Sequence, residues 1–169
     1  AISGMLVYGN VFWRCASGHF GAVQINGGRE NIVENNLFAE CLRDLSGGWT
    51  PGWTENNTFW KLFAEGKSPD WTEFIMSDLY LARYPLLKEL RDKRPVNFIW
   101  RNVLWNCGER YFMHENHVDT QDIAVYADEN PGFVDPAHGD FRLTSNSPLV
   151  KNGFRPIPVD EIGLYNDDY

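Results

Sequence analysis

Three ionisable side chains are the first candidates for chemistry in this chain: Asp44, His114 and Glu115. A carboxylate can act as a general acid, a general base or a nucleophile, and an imidazole titrates close to neutral pH. Asp44 lies in a short segment where apolar and polar residues alternate, so we expect a strand that buries Leu45 and presents Asp44 on the outside. His114 and Glu115 end the segment 111–115, which could be a later strand of the same series.

The elements that would position these groups are indicated by a ten-residue segment that recurs three times. The copies begin at Leu6, Ile32 and Phe98. Each has apolar residues at five common positions, Asn at the fifth position and Cys at the tenth. A repeat of this length with two short strands around an Asn is typical of β-coils stacked on one another.

The shared asparagines, Asn10, Asn36 and Asn102, are predicted to be structural. Asn tolerates the left-handed conformation that a tight corner needs. Its side chain can also form hydrogen bonds between stacked coils.

A third strand per coil is predicted from two further segments, 22–28 and 42–48, each of which ends in Gly-Gly. Aligning the glycines places Gln24 beside Asp44 and Ile25 beside Leu45. One coil then runs from about residue 21 to residue 41. Three strands per coil, all parallel between coils, predict a parallel β-helix.

The chain length of 169 residues predicts a single domain, 1–169. A helical insertion is expected within it, from residue 47 to 95, because Ser68, Pro69 and Asp70 form a good helix start. The proline-rich stretch 130–169 is expected to form a loop-rich C-terminal cap and tail.

The net charge of −8 disfavours nucleic acid as a partner, and no apolar run is long enough for membrane insertion. The chain begins one strand before a repeat and its first residue, Ala1, is not Met. We therefore expect either upstream coils or self-association at the N-terminal end.

Cofactors are not expected. Cys15, Cys41 and Cys107 share one repeat position and should stack as free thiols, although a disulfide between neighbouring coils is geometrically feasible. The acidic residues of the segment 119–129 could hold Ca²⁺, but their spacing differs from that of a calcium-binding loop, which favours solvated acids.

Three stretches resemble the bacterial right-handed parallel β-helix proteins, the broad group that contains polysaccharide lyases and several glycoside hydrolase families. They are the Phe20–Gly28 segment running into 31–38, the segment Asn130–Asp135, and Gly139–Leu143 with Ser147–Leu149. The last resembles the closing motif of many secreted β-helix enzymes that act on glycans. The resemblance implies an all-β solenoid, a right-handed parallel β-helix with an α-helical insertion. It also implies a secreted, periplasmic or cell-surface location.

The same resemblance implies a polysaccharide or oligosaccharide ligand, and it favours glycoside hydrolysis as the activity. Alternatives are a non-catalytic glycan-binding or structural module and, third, a polysaccharide lyase, which is disfavoured because no Lys/Arg pair has the spacing of alginate- or chondroitin-type lyases. Glycosidases use two carboxylates, and the predicted catalytic set is Asp44, Glu115 and His114. Glu73 and Asp70 are alternative partners for Asp44. The predicted substrate-binding residues are Gln24, Asn26, Trp49, Trp53 and Trp71. Trp100 and Trp105 occupy the third and eighth repeat positions, where they could cover a sheet or form a platform for a sugar.

Overall fold

A computed structural model describes residues 4–15, 19–25, 29–47, 74, 76–85, 96–108 and 118–163 of the chain. The described part is mostly β, with two short α-helices. Its strands are β1 Leu6–Tyr8, β2 Val11–Trp13, β3 Val23–Ile25, β4 Ile32–Glu34, β5 Leu37–Ala39, β6 Leu45–Gly47, β7 Asn97–Trp100, β8 Val103–Trp105, β9 Val118–Gln121, β10 Ala124–Tyr126, β11 Phe133–Asp135 and β12 Asp140–Leu143. Its α-helices are α1 Asp78–Arg83 and α2 Pro148–Lys151, and 3₁₀ turns span Pro136–His138 and Val159–Glu161.

The repeat pattern becomes parallel sheets. Sheet A has the strand order β1-β4-β7-β9, sheet B has β2-β5-β8-β10, and sheet C is β3-β6. Every pairing in these three sheets is parallel, and the repeat copies lie in register. Strands β11 and β12 form a separate antiparallel pair. The predicted β-rich, parallel-strand character is therefore confirmed.

Tight corners separate the strands of sheet A from those of sheet B. In three successive repeats the corner residues Gly9, Asn35 and Arg101 have φ values of 68°, 54° and 50°. Asp122 has the same conformation between β9 and β10, with φ 53°. The segment from Asp122 to Val125 is thus a corner followed by the start of β10, because the left-handed residue breaks the extended backbone.

The predicted asparagine ladder is confirmed. The Asn10 backbone N–H donates to Asn36 Oδ1 over 3.0 Å, and the Asn36 N–H donates to Asn102 Oδ1 over 2.9 Å. The side-chain amides add further hydrogen bonds between neighbouring repeats, since Asn36 Nδ2 donates to Val7 O and Asn102 Nδ2 donates to Val33 O. Asn36 and Asn102 are fully buried, so these bonds satisfy polar groups that would otherwise be costly.

A second ladder precedes the first and was not predicted. The Met5 N–H donates to Asn31 Oδ1, and the Asn31 N–H donates to Asn97 Oδ1, both over 3.1 Å. Asn31 Nδ2 also donates to Asn97 Oδ1. Asn31 and Asn97 are buried, so a polar ladder stands at each end of the sheet A strands.

An inner cluster fills the space between sheets A, B and C. Its buried members are Val33, Phe38, Cys41, Leu45, Ile99 and Leu104. Phe12 and Phe38 pair in register and their rings stack with centroids 4.8 Å apart. Because all three sheets contribute side chains, the cluster joins them into one core.

An outer cluster lies on the opposite face of sheet B. Sheet B contributes four of its buried residues and the C-terminal segment contributes five: Leu37, Ala39, Val103, Trp105, Phe133, Phe141, Leu149, Phe154 and Ile157. Trp105 meets the rings of Phe133 and Phe141 edge to face, with centroids 5.7 and 6.3 Å away. Sheet B is therefore buried on both faces.

Two local features hold the C-terminal segment against the sheets. Asn35 forms a two-sided bond with the backbone of Arg155: its Nδ2 donates to Arg155 O over 3.0 Å, and its Oδ1 accepts from Arg155 N over 2.8 Å. Gly139 turns the chain beside Trp13 with φ 82°. A Cβ atom at this glycine would come within 2.7 Å of the Trp13 ring, so both the conformation and the close approach require glycine.

Helix α1 is the described part of the expected helical insertion. Ser77 caps it, because its side chain accepts from the Tyr80 N–H. The helix start expected at Ser68–Asp70 lies outside the described residues. The next strand, β7, begins at Asn97.

Candidate functional site

The outward side of sheet A brings together aromatic and polar side chains from its four strands, some exposed and some half-buried. We call it the aromatic face. Alternation places Val33 and Ile99 in the inner cluster and turns their neighbours outward. The outward residues form two in-register columns: Leu6, Ile32, Phe98 and Asp119, and beside them Tyr8, Glu34, Trp100 and Gln121.

This face is open to solvent. Leu6 is 59% exposed and Tyr8 is exposed, whereas Phe98 and Trp100 are half-buried. Ile32 is half-buried on this outward side, since it pairs with Leu6 and Phe98 and the next residue turns inward. The aromatic face is therefore an apolar surface that the described residues leave partly uncovered.

Polar groups at the β9 edge fix one of its rings. Trp100 Nε1 donates to Asp119 Oδ2 over 3.3 Å, and Gln121 Nε2 donates to the same oxygen over 3.0 Å. The Phe98 and Trp100 ring centroids are 4.8 Å apart, with planes inclined by 46°. The two rings thus form an inclined surface whose polar edge is already held in place, an arrangement suited to binding without reorganisation.

A second polar group lies at the corner beside Trp100. Arg101 Nη2 forms an ion pair and hydrogen bond with Glu34 Oε1. This bond to Glu34 is the main reason that the pKa of the Arg101 guanidinium is raised. Arg101 sits in the left-handed corner conformation, which directs its side chain from the corner to a carboxylate of the preceding repeat.

Asp44 does not lie where the sequence predicted it. It is 2% exposed, not on the outer surface, and Gln24 pairs with Ser46, two residues further along. The glycine alignment gave the wrong register because Val23, and not Ile25, pairs with Leu45. The Asp44 carbonyl accepts from Val23 N–H over 3.1 Å, and its Oδ1 accepts from Leu45 N–H.

Asp44 nevertheless borders a pocket of about 310 Å³. The described lining residues are Asp44, Leu104, Cys107, Gly108 and Val125. Val125 continues the column of Phe38 and Leu104 but is 62% exposed, so this pocket opens at the β10 end of the inner cluster. Asp44 is the one carboxylate among the described lining residues.

The other predicted site residues divide into two groups. Gln24 is half-buried in β3 and its Oε1 accepts from the Ser46 hydroxyl, so its side chain ties sheet C together. The remaining ones lie outside the described residues: Glu115, His114, Asn26, Trp49, Trp53 and Trp71. The structure therefore brings none of them together with Asp44 in the described part.

The two tryptophans of the repeat separate into different environments. Trp105 is 6% exposed beneath the C-terminal segment, and its Nε1 donates to Glu129 O over 3.0 Å. Trp100 remains on the aromatic face. Trp105 therefore packs in the core beneath the C-terminal segment. Trp100 is accessible enough to contact a ligand.

Among the described residues, no three His, Cys, Asp or Glu side chains converge in a way that could hold calcium or another metal ion. Asp119 is engaged by Trp100 and Gln121, and Asp128 contributes its backbone N–H to Asn106 Oδ1. Within the described residues no helix has the length and apolar character needed to span a bilayer.

Comparisons of the chain with protein-family models, with curated proteins and with solved structures found no match. Evidence for the function of this protein therefore comes from the geometry of the chain itself. Sequence columns identified Trp100, but they did not identify Glu34, Asp119 or Gln121. Glu34 could have been found by reading the third repeat position, which it shares with Tyr8 and Trp100. Asp119 and Gln121 lie in β9, outside the three recognisable repeat copies.

Proposed function

We propose that the chain is part of a right-handed parallel β-helix whose aromatic face binds a polysaccharide, as a glycan-binding module. Three features support the fold proposal. The same strand order recurs in each repeat, the corners share a left-handed residue, and three parallel sheets surround one inner cluster. A ligand lying across sheet A would meet residues from several repeats at once.

The observation that carries the binding proposal is the set of rings on sheet A with polar groups at their edges. Tyr8, Phe98 and Trp100 offer apolar ring faces, which suit the C–H faces of sugars. Glu34, Asp119 and Gln121 offer acceptors and an amide for hydroxyl groups. Trp, Tyr and Arg are also the residue types that dominate binding energy at interfaces.

The charge of the face narrows the ligand class. Glu34 and Asp119 are acidic, and the Arg101 guanidinium is already engaged by Glu34. The whole chain carries a net charge of −8. A neutral glycan fits this surface better than a polyuronate, because a polyanion would be repelled.

Affinity electrophoresis tests this proposal with xylan, mixed-linkage β-glucan, galactan and polygalacturonate in the gel. We expect retardation by at least one neutral polysaccharide and weaker or no retardation by polygalacturonate. Trp100→Ala should weaken binding about tenfold or more, because a central ring is lost. Tyr84→Ala is the matched control, since Tyr84 is an exposed aromatic at the end of α1 and is not a residue of sheet A.

Two outcomes contradict the binding proposal. One is that none of the four polysaccharides retards the folded protein. The other is that Trp100→Ala and Tyr84→Ala reduce retardation equally, which would mean that the contact is not made on the aromatic face.

Glycoside hydrolysis is a second proposal, favoured by the position of Asp44 beside an open pocket. A buried carboxyl group beside a pocket with apolar lining residues is an environment in which general acids are found. Asp44→Asn should abolish reducing-sugar release if Asp44 acts as acid or base, by roughly 10²-fold or more. Because Asp44 is buried and hydrogen-bonded, the urea midpoint of the same variant must be measured. Full turnover in a folded Asp44→Asn variant would exclude this role.

A further inference from the structure

The three cysteines form a column at the end of the sheet B strands. The residues two positions earlier, Trp13, Ala39 and Trp105, pair in register. The Gly108 N–H donates to Cys41 O over 2.9 Å, so the backbone spacing of sheet B continues past the last strand residues. In-register residues on neighbouring strands have Cα atoms about 4.8 Å apart, which lies inside the range that a disulfide can span.

The thiols are nevertheless free and are held by backbone carbonyls. Cys41 Sγ donates to Phe12 O over 3.3 Å, and Cys107 Sγ donates to Phe38 O over 3.4 Å. Each thiol therefore reaches toward the preceding repeat, which points Cys107 at the strand that leads to Cys41. The side chains of Cys41 and Cys107 interact with each other, and those of Cys15 and Cys41 do so too.

The three thiols differ in access. Cys41 is 1% exposed within the inner cluster. Cys107 is half-buried and lines the pocket of about 310 Å³. Cys15 is half-buried at the other end of the column. A small molecule in the pocket would thus meet Cys107 first, and Cys41 would lie immediately behind it.

The Cys41 and Cys107 thiols affect each other's pKa. The hydrogen bond from Cys107 lowers the pKa of Cys41 to about 7, even though burial and the Asp44 carboxylate act in the opposite direction. The same hydrogen bond raises the pKa of Cys107, with burial as the second cause. The first ionisation of the pair therefore falls near neutral pH and belongs to the two thiols together.

From the column, the pocket and the difference in access, we propose that Cys107 and Cys41 are a thiol–disulfide exchange site for small dialkyl disulfides. Cys107 receives the first half of the disulfide in the pocket. Cys41 then resolves the adduct into a Cys41–Cys107 disulfide inside the stack.

The chemistry balances in two exchanges. In the first, the Cys107 proton passes to the Cys41 thiolate while Cys107 Sγ attacks one sulfur of the dialkyl disulfide. That bond breaks, and one alkyl thiolate leaves and is protonated by water. In the second, Cys41 loses its proton to solvent and attacks Cys107 Sγ, releasing the second alkyl thiol. The two protein thiols are oxidised, and one dialkyl disulfide is reduced to two thiols.

The test uses the folded, reduced, full chain with bis(2-hydroxyethyl) disulfide, followed by alkylation with iodoacetamide and peptide mass spectrometry. The expected product is a Cys41–Cys107 cross-link with Cys15 alkylated. Cys15→Ala is the matched control and should give the same product at the same rate. In Cys41→Ala the mercaptoethanol adduct on Cys107 should persist at least about tenfold longer than in the unsubstituted chain, because the resolving thiol is absent.

Circular dichroism of each variant shows whether it is folded. If Cys41→Ala does not fold, a time course of the unsubstituted chain replaces it, and the Cys107 adduct must be seen before the cross-link. The proposal is overturned if the native chain keeps Cys41 and Cys107 as thiols, or if it forms a Cys15–Cys41 bond instead. It is also overturned if cross-linking occurs only in urea, since this would place the reaction in the unfolded chain.

Discussion

Sheets A and B are built from the same repeat, yet their outward faces differ in solvent exposure. The outward face of sheet B is covered by the C-terminal segment, and Trp105 is buried there among Phe133 and Phe141. The outward face of sheet A is left partly open, and Trp100 lies on it in the same column as Tyr8, with Glu34 between them. An aromatic residue at an outward position of this repeat therefore has no fixed role: the rest of the chain determines whether it stabilises the fold or faces solvent.

The largest expected effect separates the two tryptophans by stability. Trp105→Ala should lower the free energy of unfolding by about 3–5 kcal/mol, because it leaves a cavity beneath the C-terminal segment. Trp100→Ala should cost only about 1 kcal/mol, since it removes a cross-strand contact at a half-open position. Urea unfolding followed by circular dichroism measures both. Equal losses would mean that the two faces are not energetically distinct.

A smaller effect is expected where the covering segment is fastened. Asn35→Gly keeps the left-handed corner but removes both hydrogen bonds to the Arg155 backbone, so we expect a loss of about 1–3 kcal/mol. Asn35→Ala should cost more, because φ 54° is also strained for alanine. Limited proteolysis provides the second readout: cleavage within 144–163 should increase in both variants. A segment as protected as in the unsubstituted chain would show that the Asn35 bonds do not hold it.

The smallest expected effect concerns pH at the corner after β5. Hydrogen bonds from Arg14 and then Trp13 lower the pKa of Glu40 from its ordinary value of 4.5. The carboxylate therefore adds stability at and above this pH, and the contribution is lost as the pH falls through the lowered pKa of the folded state. The Arg14–Glu40 ion pair is solvent-accessible. Between pH 6 and pH 3 the melting temperature of the unsubstituted chain should therefore fall by only about 1–3 °C more than that of Glu40→Gln.

Thermal melts between pH 6 and pH 3 measure this difference. Glu34→Gln is the comparison on the open face, where Arg101 is the partner. If Glu40→Gln has the same dependence on pH as the unsubstituted chain, the bonds to Arg14 and Trp13 do not stabilise the covered side.

The sequence predicted the parallel strands and the asparagine ladder because both follow from short-range rules repeated at fixed positions. Asn10, Asn36 and Asn102 align without any knowledge of tertiary structure. The register of sheet C was missed because Gly-Gly pairs mark turns, and turns tolerate different lengths, whereas Val23 and Leu45 set the pairing.

The candidate site was harder to predict than the fold, since it depends on which surface remains uncovered. The covering of Trp105 depends on residues such as Phe141 and Phe154, which have no repeat pattern. Asp119 belongs to a repeat copy too degraded to recognise, so its contact with Trp100 could not be derived from the columns. The predicted substrate-binding residues Trp49, Trp53 and Trp71 lie outside the described residues, so their role stays a prediction.

The asparagine ladder has a consequence for how such a chain can diversify. The bond from Asn10 to Asn36 spans 26 residues, and the equivalent bond from Asn36 to Asn102 spans 66, yet the donor, acceptor and distance are nearly the same. Register is thus encoded locally at each corner and is indifferent to the length of chain between corners. Segments of different length can be inserted or exchanged after β6 without retuning the stack, which makes this position suitable for grafting new loops in protein engineering.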